Sequence, residues 1–353
     1  MSVRLFTNLL EGLTTPHGVD RYLELLHPML TVRELRAEIT EVHRSTSDSV
    51  TLTLRPNRHW RGFTAGQYVR VTVDIDGVRR SRCYSPSCSQ HRADGRIQLT
   101  VKAHEHGLVS RFLHANARQG LVVGLSQAEG VFTLPQRRPQ RIVLISGGSG
   151  ITPVLSMLRT LCDERYSGEV TFLHFAPTEA DVPQLDRIRA LAGRHPRVRF
   201  VLACTRRGEY FSQERLAAAA PEYSRAHTYL CGPPGLLHAV RELYLSEGVG
   251  ERLHTEDFGP VALPRGDLPA SGHVHFRRSD VAAANSGATL LEQAEGAGLH
   301  PEHGCRMGIC FSCTTIKRAG QVRNIRTGDT SSEEDEEIQL CISVPVGDVT
   351  IDI

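Results

Sequence analysis

The strongest constraint on this chain lies between residues 304 and 341. Cys305, Cys310 and Cys313 are spaced C-x4-C-x2-C, and Cys341 follows after a gap of 27 residues. Four thiolates hold a [2Fe–2S] cluster of the plant type with this spacing. Three ligands on one short loop demand a tightly turning backbone. Gly304 and Gly308 supply it, since glycine takes positive φ and lets N–H groups approach the sulfides. The competing arrangement is a four-cysteine zinc site, but structural zinc favours paired C-x2-C knuckles and only one is present. A disulfide framework does not suit a chain of 353 residues without a secretory signal.

The remaining cysteines, Cys83, Cys88, Cys162, Cys204 and Cys231, are an odd, scattered set, which points to reduced thiols. The first thirty residues lack a small-residue cleavage site behind an apolar core, and no apolar run is long enough to span a bilayer. We therefore expect a cytoplasmic protein that is not itself transmembrane. A net charge of +2 without a basic stripe gives no footprint for nucleic acid.

Texture changes along the chain divide it into five stretches. Residues 1–33 carry Leu5, Leu9, Leu10, Leu13, Val19, Tyr22, Leu23 and Leu26 at helical spacing, broken at Pro16-His17-Gly18. Two short helices are expected, either as a cap on the next domain or as a peripheral contact with a partner or membrane face. Residues 34–138 alternate in the manner of strands at Ser49–Leu54, Tyr68–Val73 and Ile97–Val101. Asp76-Gly77 and Asp94-Gly95 give hairpin signals between them, so a small antiparallel barrel is expected. Residues 139–252 alternate buried strands (Ile142–Ser146, Val170–Phe175, Val198–Leu202, His227–Leu230) with helical patterns, the signature of a parallel sheet covered on both faces. Residues 253–272 read as a linker. Residues 273–353 form the cluster domain, with a capping box at Thr289–Glu292 and closing strands at Leu340–Val344 and Asp348–Ile353. The fold expected is multidomain: a β-barrel, an α/β nucleotide domain and an α+β domain of the β-grasp kind.

Five stretches in the first two domains address flavin and nucleotide chemistry. Arg82-Cys83-Tyr84-Ser85 offers an aromatic face, a hydroxyl and a guanidinium, which suit an isoalloxazine ring and a pyrophosphate. The sequence places this stretch just after the second barrel strand. Gly107-Leu108-Val109-Ser110 opens a helix, where free N–H groups and the helix dipole attract an anion. Gly147–Pro153, which includes Gly148 and Thr152, joins the first buried strand to its helix, and Cys231-Gly232-Pro233 ends a later strand at the same carboxyl edge. Thr205-Arg206-Arg207, with Tyr210, follows another strand end. Two arginines there suit a 2′-phosphate and favour NADPH over NADH.

Together these residues resemble the ferredoxin–NADP reductase superfamily with a plant-type ferredoxin domain fused at the C-terminus. The resemblance spans residues 34–353. It implies FAD in the barrel, NADPH (or NADH) on the α/β domain and electron transfer through the cluster. It implies that Arg82, Tyr84, Ser85, Val101, Gly107, Val109 and Ser110 bind flavin. Gly148, Thr152, Thr205, Arg206, Tyr210, Cys231 and Gly232 would bind the nucleotide, and Phe258 would shield the flavin face. Tyr84, Ser85 and Cys231 are the candidates for positioning nicotinamide against flavin. Thr15–Asp20 and Ile338–Ile353 are similar, more narrowly, to the actinobacterial reductase partners of acyl-CoA Δ9 desaturases. That implies fatty acid desaturation, with a membrane-bound diiron enzyme as redox acceptor at the inner face of the membrane. A Rieske oxygenase or a cytochrome P450 system stays open as the acceptor, as does a redox sensor. The run Glu333–Glu337 reads as a solvated loop or as a surface that steers a basic partner. Arg306 reads as a positive charge beside the cluster or as an ordinary surface residue.

Overall fold

The computed structural model describes Asp20, Leu23 and residues 26–353 apart from 106, 259–270, 304, 305, 307, 309 and 310. The expected N-terminal helices therefore lie largely outside the described residues. The chain divides into two units, residues 1–258 and 259–353.

The first unit opens with a six-stranded antiparallel sheet. It is built from β1 (Arg36–Thr46), β2 (Ser49–Pro56), β3 (Val69–Ile75), β4 (Val78–Tyr84), β5 (Ile97–Lys102) and β6 (Val122–Leu125), in the order β4-β3-β6-β1-β2-β5. A bridge between Pro86 and Leu99 joins the two ends and closes the barrel. Alternate residues point inward, so Val50, Leu52 and Leu54 of β2 meet Ile97, Leu99 and Val101 of β5 in one core. Helix α1 (Leu108–Asn116) buries Val109 and Leu113 against that core.

Asp76 and Gly77 have φ of 53° and 77°, so this hairpin between β3 and β4 is the turn expected. Asp94-Gly95 differs: it is a turn that leads into β5, whose ladder partner is β2. Arg82–Tyr84 is also placed differently, as the end of the fourth strand.

The second half of this unit is a parallel sheet of β7 (Arg141–Gly147), β8 (Glu169–Ala176), β9 (Val198–Cys204), β10 (His227–Cys231) and β11 (Leu253–Glu256). Its order is β11-β10-β7-β8-β9. Ile142 and Leu144 of β7 face one core with Leu158 of α2 (Ile151–Asp163) and Ile188 of α3 (Leu185–Arg194). Val143 and Ile145 face the other core, with Leu216 of α4 (Gln213–Ala219) and Leu237 of α5 (Pro234–Ser246). The winding direction reverses between β7 and β10, which makes their carboxyl ends the crevice where such sheets take ligands. The linker expected from residue 253 is corrected here, because Leu253–Glu256 pairs with β10 as the edge strand.

The second unit is a mixed β-grasp sheet. It comprises β12 (His273–Phe276), β13 (Val281–Ala284), β14 (Thr314–Asn324), β15 (Thr330–Ser331), β16 (Glu336–Gln339) and β17 (Ser343–Ile351). Helix α6 (Leu290–Gly296) starts at the expected capping box, with Thr289 and Glu292 exchanging hydrogen bonds. The two closing strands prove to be one: β17 takes in Ser343 to Ile351, and residues 340–342 form a turn.

The acidic run is not simply a solvated loop. Glu336 begins β16 and meets the fully buried Lys317 at 3.6 Å, and Asp335 pairs with Arg318 at 2.7 Å. Glu333, Glu334 and Glu337 stay exposed. Among the described residues no helix is long and apolar enough to cross a membrane.

Candidate flavin, nucleotide and cluster sites

Strand β4 delivers Tyr84 and Ser85 to the barrel wall. The Tyr84 Oη and Ser85 Oγ are both buried, and neither has a hydrogen-bond partner among the described residues. Burial pushes the Tyr84 hydroxyl pKa well up, and neighbouring Arg82 pulls the other way. Leaving a buried polar group unsatisfied costs about 1–3 kcal/mol. Two on consecutive residues mark a place that a polar, flat ligand completes, and the ring nitrogens and carbonyls of a flavin suit it. Arg82 donates to the Ser81 carbonyl at 2.9 Å.

Val101 and Val109 are 0% and 1% exposed and pack in the barrel core. Gly107 caps α1 with extended backbone. Ser110 Oγ donates to the Gly107 carbonyl at 3.2 Å and accepts from His104 N at 3.3 Å, so its hydroxyl closes the turn. The first-turn N–H groups of α1 are left for an anion.

At the switch point the two glycine stretches interlock through their backbones. A Cβ on Gly150 would lie 2.3 Å from the Cys231 carbonyl oxygen, and one on Gly147 would lie 2.7 Å from Pro233 Cδ. Gly148 has φ of 53° and open space beside it, where a ligand backbone or ribose has room. Thr152 Oγ1 donates to the Ser149 carbonyl at 3.3 Å, and Gly232 packs on the main chain of Gly147. Cys231 is fully buried. Burial foremost, then Glu256 and Asp257, pushes its thiol pKa far up, so it stays protonated and can position but not attack. Phe258 packs, half-buried, on the core that holds Ala65, Phe132 and Cys231.

Sequence reasoning missed the row to which Cys231 belongs. Glu256, Cys231, Ser146 and His174 are in register across β11, β10, β7 and β8, and so point to one face. Ser146 Oγ lies 2.8 Å from His174 Nδ1. Burial pushes the His174 imidazole down to about 3.

Strand β9 ends at the outer edge of the sheet, followed by a tight turn at Thr205–Arg207. Arg206 and Arg207 are exposed, and neither guanidinium has an ion pair or hydrogen bond among the described residues. Tyr210, 66% exposed, stands beside them. Two strands separate β9 from the switch point by roughly 10 Å, within reach of a dinucleotide.

In the second unit Cys313 and Cys341 are brought together, since Leu340 N donates to the Cys313 carbonyl at 3.1 Å. Cys305 and Cys310 lie outside the described residues. Between them Gly308 has φ of 69°, and a Cβ there would meet Ile342 Cδ1 at 2.5 Å. Two cysteines whose backbones neighbour one another, with the sequence spacing of the other two, suit a cluster. Arg306 is not an isolated charge: its guanidinium donates to Glu295 of α6 and to His303 Nε2 at 2.9 Å.

The comparisons agree with this arrangement. The sequence matches models of an oxidoreductase FAD-binding domain at residues 36–133, an oxidoreductase NAD-binding domain at 144–242 and a 2Fe-2S iron-sulfur cluster binding domain at 274–346. It is 39% identical to an NADPH oxidoreductase of Mycobacterium tuberculosis, over 97% of this chain and 90% of that protein. It is 30% identical to the glycine betaine monooxygenase reductase subunit of Pseudomonas aeruginosa, over 82% of this chain and 87% of the other. The structure of phthalate dioxygenase reductase shares the fold, with a TM-score of 0.61 at 23% identity, covering 91% of this chain and 98% of that one. The chain belongs to the ferredoxin–NADP reductase superfamily, among the electron-transfer oxidoreductases that join FAD-binding, NAD-binding and 2Fe-2S domains in that order.

Proposed function

We propose that this reductase draws electrons from NADPH and delivers them through FAD and the [2Fe–2S] cluster to an oxygen-activating partner protein. The observation that carries the nucleotide preference is the pair Arg206 and Arg207, exposed and unpartnered at the end of β9, with Tyr210 to stack on adenine. Bound there, FAD would supply the conversion of a two-electron hydride donor to the single-electron chemistry of the cluster. The chain's own task is placement. Tyr84 and Ser85 hold the flavin ring, the first turn of α1 and Arg82 take its pyrophosphate, and the edge formed by Gly147–Thr152 and Cys231-Gly232 seats the nicotinamide half. Cys305, Cys310, Cys313 and Cys341 ligate the cluster.

The acceptor we favour is a membrane-bound diiron desaturase of fatty acyl-CoA, which rests on the resemblance of the chain's tail and first residues. The reductase would then work from the cytoplasm, at the inner face of the membrane through its partner. The similarity to a monooxygenase reductase subunit supports a second reading, in which the acceptor is a monooxygenase.

An anaerobic visible titration tests the core of the proposal. NADPH should bleach both the flavin bands and the sulfur-to-iron absorption, at lower concentration than NADH. Replacing both Arg206 and Arg207 by alanine should raise the NADPH concentration needed by about tenfold to a hundredfold, and leave NADH unchanged. An equal loss for both nucleotides would remove the 2′-phosphate assignment.

A further inference from the structure

Helix α2 starts at the glycine edge and is apolar almost throughout, yet one stripe of it is polar. Ser156, Arg159 and Thr160 follow the i, i+3, i+4 spacing that aligns side chains on one helix face. All three reach the same short stretch of the barrel, residues 87–90, which begins two residues after Ser85. Ser156 Oγ donates to the Cys88 carbonyl at 2.7 Å. Arg159 donates to the Ser87 carbonyl at 2.6 Å. Gln90 N donates to Thr160 Oγ1 at 3.2 Å.

The second arm of the Arg159 guanidinium donates to Gln184 Oε1 at 2.9 Å. Gln184 is itself buried, in a left-handed conformation with φ of 59°. Its Nε2 lies 3.2 Å from Thr51 Oγ1 and 3.4 Å from Thr100 Oγ1, on two neighbouring barrel strands. Arg159 thus stands in a seam of neutral acceptors, and no carboxylate among the described residues pairs with it. Burial pushes its pKa down to about 10. A largely desolvated cation without a counterion is an expensive way to join two packed surfaces, since an apolar pair of similar volume would do it at less cost. What an apolar pair lacks is direction. A planar guanidinium with two fixed donor axes sets both distance and angle.

We propose that Arg159, with Gln184, is a positioning residue for hydride transfer: a polar clamp that fixes the flavin-holding turn after Tyr84-Ser85 against the helix that carries the nicotinamide-holding glycine edge. The proposal rests on the assignment of those two stretches to flavin and nicotinamide. Each stretch is only a few residues from an end of the clamp. Ser87 is two residues from Ser85, and Arg159 is two turns along the helix that begins at Ile151. Displacing reacting groups by about 1 Å can cost about a hundredfold in rate. A clamp of this kind therefore acts on the rate of transfer and not on the affinity for either cofactor.

The test uses the full-length holoprotein with FAD and cluster bound. Wild-type protein, whose reduction by NADPH examines the assignment itself, is the reference in every run. Arg159→Met keeps the length and apolar volume and removes every donor. Under stopped-flow, its flavin should be reduced about tenfold to a hundredfold more slowly by NADPH at saturation, with little change in the half-saturating concentration. The long-wavelength charge-transfer absorption between reduced flavin and oxidised nucleotide should weaken, because it reports ring stacking directly. Arg159→Lys, which can still reach the Ser87 carbonyl, should recover part of both. If Arg159→Met does not accumulate as holoprotein, Gln184→Ala carries the test, with about threefold slower reduction and the same weakening of the band. Wild-type rate and band in whichever variant is obtained would overturn the proposal. A lowered melting temperature with unchanged rate and band would do the same, by showing that the seam only holds the unit together.

Discussion

The carboxyl edge of the parallel sheet and the cluster-bearing unit both have to hold a redox group, and they are built from different materials. The edge is made of main chain. Gly147 and Gly150 lie so close to Pro233 and the Cys231 carbonyl that a methyl group has no room, and the Cys231 thiol there is buried with its pKa pushed far up. The cluster unit leans on charged side chains in pairs. Lys317, 0% exposed, donates to the carbonyls of Gly320 and Glu333 and faces Glu336. Asp352 takes hydrogen bonds from Arg277, Arg278 and Arg318. Arg306 ties the cluster loop to Glu295. A ligand bound through main chain needs space, so errors there are steric. Side chains that carry charge need partners, and here ion pairs supply them.

The sharpest test of the first half of this contrast is Gly150→Ala. Gly150 has ordinary helical φ, so alanine brings no backbone strain there. The added Cβ instead meets the Cys231 carbonyl oxygen at 2.3 Å and Gly232 N at 2.7 Å, and neither can swing away as a side chain would. Reduction of the flavin by NADPH should fall by about a hundredfold or more. Flavin absorbance and iron content should stay at wild-type values. A variant reduced at the wild-type rate would show that the two loops can part freely, and the main-chain account of the edge would fail.

The matching test of the second half is Lys317→Met. Methionine fills the volume but leaves the Gly320 and Glu333 carbonyls and the Glu336 carboxylate without the buried ammonium that meets them. The loss should be about 2–3 kcal/mol of stability in the second unit. It reads out as earlier bleaching of the cluster absorption in a urea titration, with the flavin signal unmoved. Because Lys317 is buried, added salt should not reproduce the effect. Bleaching at the wild-type urea concentration would mean that packing, not charge, holds the unit.

The two regions also differ in how much of them the sequence discloses. The 2Fe-2S domain, the Asp76-Gly77 hairpin and the Thr289–Glu292 capping box are legible because each is a local demand: a metal, a turn or a helix end fixes residue types a few positions apart. Strand β1 escaped because its pairing with β2 shifts register between Ile39 and Glu41, which breaks the alternation that marks a strand. Strand β11 escaped because it is a four-residue edge strand of half-buried residues, and His254, Thr255 and Glu256 look like linker. The Glu256–Cys231–Ser146–His174 row and the Arg159 seam depend on register and packing between residues tens of positions apart. No spacing rule reaches them, although Ser156, Arg159 and Thr160 in an otherwise apolar helix were a signal available to be read.

His174 puts the contrast under its subtlest strain, since it is a titratable side chain set inside the edge that main chain otherwise builds. Its Nδ1 is engaged by Ser146, its Nε2 has no partner, and burial lowers its pKa from 6.5 to about 3. The folded protein therefore keeps the ring neutral, while the unfolded chain takes up a proton once the pH falls below about 6.5. The stability tied to the neutral ring is complete above that pH. It is lost as the pH falls toward 3, at about 1.4 kcal/mol per pH unit. His174→Gln can keep a hydrogen bond to Ser146 and cannot titrate. Urea unfolding of wild type and variant at pH 7.5 and 5.5, followed through the flavin signal, isolates the ring from every other group that titrates in that range. The wild type should lose about 1 kcal/mol more than the variant over this interval. Parallel losses would mean that the edge admits water or a proton to His174. The edge would then be softer than its glycines suggest, and the division between a main-chain site and a side-chain site would have to be redrawn.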